Sequence, residues 1–199
     1  MDAVVYIHGK GGSAAESAHY KPLFPGRAVF GLEYAGSTPW EAGRELNEGF
    51  ARLKTQYGRL TLIANSIGAY FCMCAGIAPL IEQAYFISPV VDMQKLILGM
   101  MSLEGVTEER LREAGEIRTA AGETLSWEYL SYVRAHPVGW SAPAAVLYGA
   151  NDPLTDLQTV TAFASSIGAP LTVMENGGHW FHTPEEMRFL DAWIAASRA

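Results

Sequence analysis

Ser66 stands in the run Ala64-Asn65-Ser66-Ile67-Gly68, between an apolar stretch at 60–64 and an apolar helical stretch at 69–77. Small-x-Ser-x-Gly at a strand-to-helix turn is a nucleophile pattern. The turn is tight, so its flanks must be small, and the strained serine backbone projects Oγ into a cleft. The next amide, Ile67 N–H, then opens a helix and can face an oxyanion. Ala64 stands where Gly is more usual. Taken alone, the pattern also describes a serine capping a helix after a buried strand. Asp152 follows the apolar run 144–148 in Tyr148-Gly149-Ala150-Asn151-Asp152-Pro153, which is also good turn chemistry. His179 follows 171–174 in Glu175-Asn176-Gly177-Gly178-His179, where two glycines suit a loop carrying an imidazole over a sheet edge. Each residue has a plain structural reading. Ser, Asp and His in that order, each just past a strand's carboxyl end, describe a set in which His179 takes the Ser66 proton and Asp152 fixes its tautomer.

The run His8-Gly9-Lys10-Gly11-Gly12 follows the first strand. A backbone N–H there, of Lys10 or Gly11, would join Ile67 N–H as the second oxyanion donor. His8 reads as a residue that holds this loop. Asp92 is the rival acid and also a helix N-cap. Asp156 sits in a helix first turn, where a carboxylate suits the macrodipole. His182 reads as the end of a loop, and His19 and His136 have no partner signal. No His/Cys/Asp cluster has metal-ligand spacing, so no metal and no cofactor are expected.

The elements that position these residues alternate. Runs at 4–7, 28–32, 60–64, 84–87, 144–148 and 171–174 read as strands buried on both faces, because they show no polar alternation. Thr38-Pro39-Trp40-Glu41 is a capping box that starts a helix with Ala42, Leu46, Phe50 and Leu53 inward. Thr155-Asp156-Leu157-Gln158 starts another, with Leu157, Val160, Phe163, Ala164 and Ile167 on one face and Gly168 as the stop. Thr183-Pro184-Glu185-Glu186 starts the last, with Met187, Leu190, Trp193 and Ile194 inward. Six strands with helical crossovers make an α/β fold: a parallel sheet covered by helices on both faces. Between 92 and 140 the pattern is helical with no strand, with starts at Asp92, Thr107 and Ser126. An insertion of this size reads as a lid or binding element.

At 199 residues the chain is one domain in size, and 49% hydrophobic residues suffice for a single core. The net charge of −7 and the absence of a basic run exclude a nucleic-acid duty built on a basic patch. Cys72 and Cys74 lie about 200° apart on a helix and so neither bridge each other nor share a metal. They read as buried free thiols of a reducing, cytoplasmic setting. The uncharged stretch 60–80 is long enough to span a membrane but is broken by Asn65, Ser66, Gly68, Gly76 and Pro79, so no membrane span is expected. The start, Met1-Asp2-Ala3, does not read as a signal peptide.

The chain resembles the alpha/beta-hydrolase superfamily, in the form of small bacterial esterase-like or serine-aminopeptidase-like members. The resemblance covers the whole chain: the glycine loop at 8–12, the elbow at 64–68, the acid at 152, the histidine at 179 and the insertion after the fourth strand. The chain departs from the family's usual eight strands: it starts at what would be the third, which trims the sheet to about six parallel strands. It makes 1–199 a single alpha/beta-hydrolase domain and 93–140 a helical lid within it. The lid would bring Met93, Leu96, Ile97, Met100 and Met101, with Trp127 or Tyr129, to an apolar pocket. Trp180 and Phe181 would pack beside the imidazole. Met suits a site that adapts to several substrates, and the same stripe also suits packing of the lid on the core. The implied activity is hydrolysis of a small or medium carboxylic ester, with amide or thioester second, through an acyl-enzyme. An exposed lid could support a homodimer.

Two other readings follow from the same residues. The first is a non-catalytic small-molecule-binding protein of this fold. The second is dinucleotide binding, since Gly9-Lys10-Gly11-Gly12-Ser13-Ala14 fits G-x-G-x-x-A, with Glu33 about 20 residues on. Pro22 and Pro25 cut short the helix that this second reading needs.

Overall fold

The computed structural model describes residues 1–198. In chain order the elements are β1 (Ala3–Ile7), β2 (Ala28–Gly31), α1 (Pro39–Gln56), β3 (Leu60–Asn65), α2 (Ile67–Cys74), β4 (Gln83–Ile87), α3 (Met93–Leu103) and α4 (Glu108–Ala114). There follow β5 (Glu116–Arg118), β6 (Thr124–Ser126), α5 (Trp127–Ala135), β7 (Ala144–Gly149), α6 (Leu157–Ser166), β8 (Leu171–Met174) and α7 (Pro184–Ser197). Short 3₁₀ helices cover Ala14–Leu23 and Ala78–Leu80.

Six strands form one parallel sheet in the order β2-β1-β3-β4-β7-β8. The register levels the carboxyl ends: Ile7 lies opposite Ala64, Asn65 opposite Ile87, and Ile87 opposite Leu147. From β1 the chain goes outward to β2, then returns past β1 and builds in the other direction. The reversal falls between β1 and β3, and ligand crevices of open parallel sheets form at such a switch point. The loops that leave there carry His8 to Gly12 and Ser66.

Side chains divide by the period of two. Val4, Tyr6, Ile63, Tyr85, Ile87, Ala145 and Leu147 share one face with Tyr20, Phe24, Leu190, Trp193 and Ile194, so the first 3₁₀ helix and α7 cover that face. The alternate residues Ile7, Leu62, Ala64, Phe86 and Val146 are also fully buried. They belong to the face where α1 and α2 pack together. The four inner strands are therefore buried on both faces, as their unbroken apolar runs predict. The edge strands differ: β2 and most of β8 are half-buried, because an edge has a neighbour on one side only.

Several local expectations are corrected. Residues 92–140 are not free of strand, since β5 and β6 pair as an antiparallel hairpin. Three-residue strands are too short to show a period. The turn between them is held by Thr119 N–H to Glu123 O at 2.8 Å and Glu123 N–H to Thr119 Oγ1 at 3.0 Å. Thr38 does cap α1 through Glu41 N–H, but Glu41 accepts from the Thr38 hydroxyl rather than from its amide. Asp156 is the N-cap of α6, accepting from Thr159 N–H, and not a first-turn residue. Leu157, the first residue of α6, is 47% exposed rather than inward. Leu53, Ile167 and Met187 are half-buried at the margins of their helix faces. The apolar helix after Ser66 stops at Cys74, with Gly76 at φ +64, and Cys74 is half-buried where full burial is expected. Asp92, Thr107 and Ser126 each cap a helix as their residue types predict.

The chain divides into two compact units, one of 1–91 with the residues from Gly139 on, the other Asp92–Val138. Within the second, α3 packs with α5, and Arg134 on α5 pairs with Glu108 on α4 at 2.6 Å. No described helix is long and apolar enough to cross a membrane.

Leu62 sits at the centre of β3 with no exposed surface. Leu62→Ala should cost about 2–5 kcal/mol, from lost burial plus the cavity left behind. Chemical denaturation should show a lower midpoint at an unchanged m value.

Candidate active site

Ser66 is the hinge between β3 and α2, with φ 53 and ψ −124. A non-glycine residue at positive φ is strained and persists only where its surroundings over-determine it. Here Ser66 N–H donates to Ile87 O at 3.0 Å, while Ala69 N–H and Val90 N–H both donate to Ser66 O at 3.2 Å. Gly68 explains the end of the motif. A Cβ there would lie 2.3 Å from His8 O, so the backbone of α2 and the loop after β1 touch. Gly9 packs closely on the other side, where a Cβ would come within 3.0 Å of Ser66 Cβ.

The loop after β1 is held by its own network. His8 Nδ1 lies 2.8 Å from Gly9 O and Nε2 lies 3.1 Å from Glu33 Oε2. Its ring stacks on Tyr34 at 4.6 Å, and Tyr34 OH donates to His8 O at 3.0 Å. The partners of His8 are those of a loop-holding residue. Glu33 also accepts Ala14 N–H at 2.7 Å, which commits the acid of the dinucleotide reading to the loop itself. The segment after the glycines is a 3₁₀ helix with Pro22 inside it, not the α-helix whose N-terminus would hold a pyrophosphate. Gly12 N–H donates to Gly9 O at 3.2 Å, with Lys10 and Gly11 at the tip of the turn and Gly11 at φ +78. Below it, Tyr6 OH donates to Glu16 at 2.5 Å and Glu16 accepts Ser13 N–H at 2.9 Å.

Ser66, His179 and Asp152 meet although 113 and 27 residues separate the consecutive pairs. Ser66 Oγ lies 2.7 Å from His179 Nε2, and His179 Nδ1 lies 2.7 Å from Asp152 Oδ2. The Asp152 side chain has 0% exposure and accepts only, so Nδ1–H donates to it and Nε2 is left to accept from the serine hydroxyl. The other Asp152 oxygen takes Leu154 N–H at 2.8 Å and Thr155 N–H at 3.3 Å, which compensates the buried charge. The two loops touch at backbone level. A Cβ on Gly149 would lie 2.3 Å from Gly178 O, and Asn151 N–H donates to Gly177 O at 2.9 Å.

This geometry sits in a fold that solved structures share. The chain matches Est1E from Butyrivibrio proteoclasticus with a TM-score of 0.79 at 15% identity, over 99% of this chain and 86% of that one. It matches alpha/beta hydrolase domain-containing protein 10 from mouse with a TM-score of 0.74 at 16% identity, over 98% and 89% of the two chains. It matches a proline iminopeptidase-related protein from Thermus thermophilus with a TM-score of 0.64 at 20% identity, over 98% and 89%. The chain has the alpha/beta-hydrolase fold. No family model matches its sequence, and no curated protein matches it.

Within the alpha/beta-hydrolase fold the remaining expected residues fall as follows. Ile67 is the first residue of α2. Trp180 shares a unit with Ser66 and His179, is 62% exposed, and meets the His179 ring edge-on at 6.3 Å. Phe181 turns inward at φ 44 and is buried. In the other unit Met93, Ile97 and Met101 are buried and Leu96 and Met100 half-buried on α3, while Arg112 lies over the Trp127 ring at 5.7 Å. Asp92 spends its carboxylate on Lys95 N–H at 2.8 Å. His182 is exposed, and its N–H donates to Glu186 at 3.2 Å. His19 pairs with Asp191 at 2.6 Å. Burial pushes the Cys72 thiol far up and Cys74 to about 11, so neither supplies a thiolate. Among the described residues no group of His, Cys, Asp and Glu could hold a metal ion.

One residue has a larger part than its sequence signal. Glu186 reads as the third residue of a capping box, and it is that, but the residue is 8% exposed and its carboxylate takes four donors. Gly178 N–H reaches Oε1 at 2.8 Å. His182 N–H at 3.2 Å, Thr183 N–H at 3.0 Å and the Thr183 hydroxyl at 2.8 Å reach Oε2. Burial raises its pKa, but the hydrogen bonds from Gly178, Thr183 and His182 outweigh it and hold the carboxyl down at about 2.

Gly68→Ala should therefore destabilise the fold by more than the roughly 1–3 kcal/mol usual for overpacking, since the neighbour is backbone and cannot swing aside. Thermal unfolding would check it. Glu186 has a depressed pKa, so its stabilisation, up to about 3 kcal/mol, is complete above the unfolded value near 4.5 and is lost as pH falls toward 2. Compared with Glu186→Gln, the native chain should lose stability more steeply across that window in acid denaturation.

Proposed function

We propose that the chain is a serine hydrolase that cleaves a small or medium carboxylic ester, with amide or thioester second, through an acyl-enzyme on Ser66. The observation that carries this reading is the continuous hydrogen-bonded line from Ser66 Oγ through the His179 imidazole to the buried Asp152 carboxylate, at 2.7 Å in each step.

The chemistry follows from that line. Ser66 Oγ attacks the substrate carbonyl carbon while its proton passes to His179 Nε2. The imidazolium that forms keeps its Nδ1–H on Asp152, whose charge stabilises it without taking the proton. The carbonyl electron pair moves to oxygen, and the oxyanion is met by Ile67 N–H and by an amide of the first loop, Lys10 or Gly11. When the tetrahedral centre collapses, the carbon–oxygen bond to the alcohol breaks and His179 gives that oxygen its proton. Water repeats the sequence on the acyl-enzyme, frees the carboxylic acid and restores Ser66. Est1E has been solved with ferulic acid bound, which supports esters of carboxylic acids as the first class to assay. Trp180, exposed beside His179, offers an apolar surface for such a group.

A fluorophosphonate probe should label the native chain and fail to label Ser66→Ala. Against an ester panel Ser66→Ala should lose about 10⁴–10⁶ in kcat, and Asp152→Asn about 10⁴ by holding His179 in the wrong tautomer. A folded native chain that neither reacts with the probe nor turns over any ester sinks the proposal and leaves a binding protein of this fold.

A further inference from the structure

The loop from Gly177 to Thr183 presents His179, and it contains no regular structure to hold it. One side is tied to the turn that carries Asp152, through Asn151 N–H on Gly177 O. The other side runs into α7. Within it Phe181 takes φ 44, a left-handed conformation that a bulky side chain does not adopt freely. That turn of the backbone sends Phe181 into the core and leaves Trp180 facing out at 62% exposure.

We propose that Glu186 is the positioning residue for His179: its buried carboxylate gathers the amides of Gly178, His182 and Thr183 and so fixes the loop that holds the imidazole between Ser66 and Asp152. The inference rests on the hydrolase reading only for its kinetic arm.

Helix capping alone does not account for the arrangement. A capping box asks the third-residue Glu to accept from the N-cap amide, here Thr183 N–H, and that bond is made at 3.0 Å. It requires neither burial nor further donors. Glu186 is buried and takes two more amides from outside the helix. Those two bracket the histidine: Gly178 directly precedes it, and His182 closes the three-residue arch of His179, Trp180 and Phe181. The neighbouring Glu185 is exposed and does none of this. Gly178 lies between the two partners: its amide bonds Glu186 Oε1 and its carbonyl abuts Gly149. A carboxylate is the group suited to this point, since it offers lone pairs in several directions and no donor. Gln at the same place would turn an N–H group toward other N–H groups.

Glu186→Gln tests this. The variant should keep its KM within about twofold and lose about 10- to 100-fold in kcat, the scale on which a misplaced reacting group is felt. The proton of His179 Nδ1, seen by NMR as a far-downfield signal assigned by its absence in His179→Gln, should broaden or vanish in Glu186→Gln. Asp191→Ala is the control, since it removes the His19 pair from α7 and leaves the loop untouched. It should lower the melting temperature and leave both kcat and the His179 signal as they are. Hydrogen exchange on the native chain needs no variant: the Gly178 and His182 amides should exchange as slowly as those within α7. The proposal is overturned if the His179 signal and kcat of Glu186→Gln match those of Asp191→Ala, or if the two native amides exchange at open-loop rates. A native chain without esterase activity removes the kinetic arm and leaves the NMR and exchange arms to decide.

Discussion

The hydrogen bond between Asp152 and His179 is the interaction on which the site's arrangement turns. Asp152 is a charge with no access to water, and such a group is tolerated only when its lone pairs find donors. Two backbone amides of its own turn and the imidazole N–H meet that requirement. The bond also sets the imidazole: it places the proton on Nδ1 and turns Nε2 to Ser66 Oγ. Two loops far apart in the chain must therefore stay in register to within a fraction of an ångström.

The sheet supplies most of that register. Six parallel strands end at one edge, and the order reverses between β1 and β3, so the glycine loop and the serine turn leave the sheet side by side. The finer adjustment comes from places of close approach. Gly68 lies against the His8 backbone and Gly149 against that of Gly178, while Gly9 lies against the Ser66 side chain. A side chain at Gly68 or Gly149 would push apart the two backbones that meet there. The strain at Ser66 and Phe181 is carried by this close packing and by the hydrogen bonds around it. Beyond β8 the histidine loop is also tied to Glu186, which accepts the Gly178 and His182 amides.

Packing and electrostatics also account for where the other candidate residues sit. Asp92 and Asp156 each satisfy a helix N-terminus. His8 is occupied by Glu33, Gly9 and Tyr34, and the two cysteines are held as thiols by burial. These residues carry the right functional groups, but each is engaged by a structural partner or held by burial.

Much of this was legible in the residues themselves. Unbroken apolar runs mark the inner strands, because a strand covered on both faces has no polar side to show. Ser66, Asp152 and His179 each follow such a run, Gly68 sits where the turn needs a small residue, and the Gly177-Gly178 pair suits the loop that carries the imidazole. Thr107, Ser126 and Thr183 announce their helices, because a cap is a local interaction within three residues. What the sequence could not state is what depends on contacts between distant segments. The β5–β6 hairpin is too short to show a period, and the exposure of Leu157 at the start of α6 depends on which segments reach that end of the helix. Glu186 looks like any other capping glutamate, since neither its burial nor its bond to Gly178 leaves a trace in local spacing. The meeting of Ser66, His179 and Asp152 is of the same kind: their order along the chain suggests it, but only the folded sheet edge brings the three within hydrogen-bonding distance.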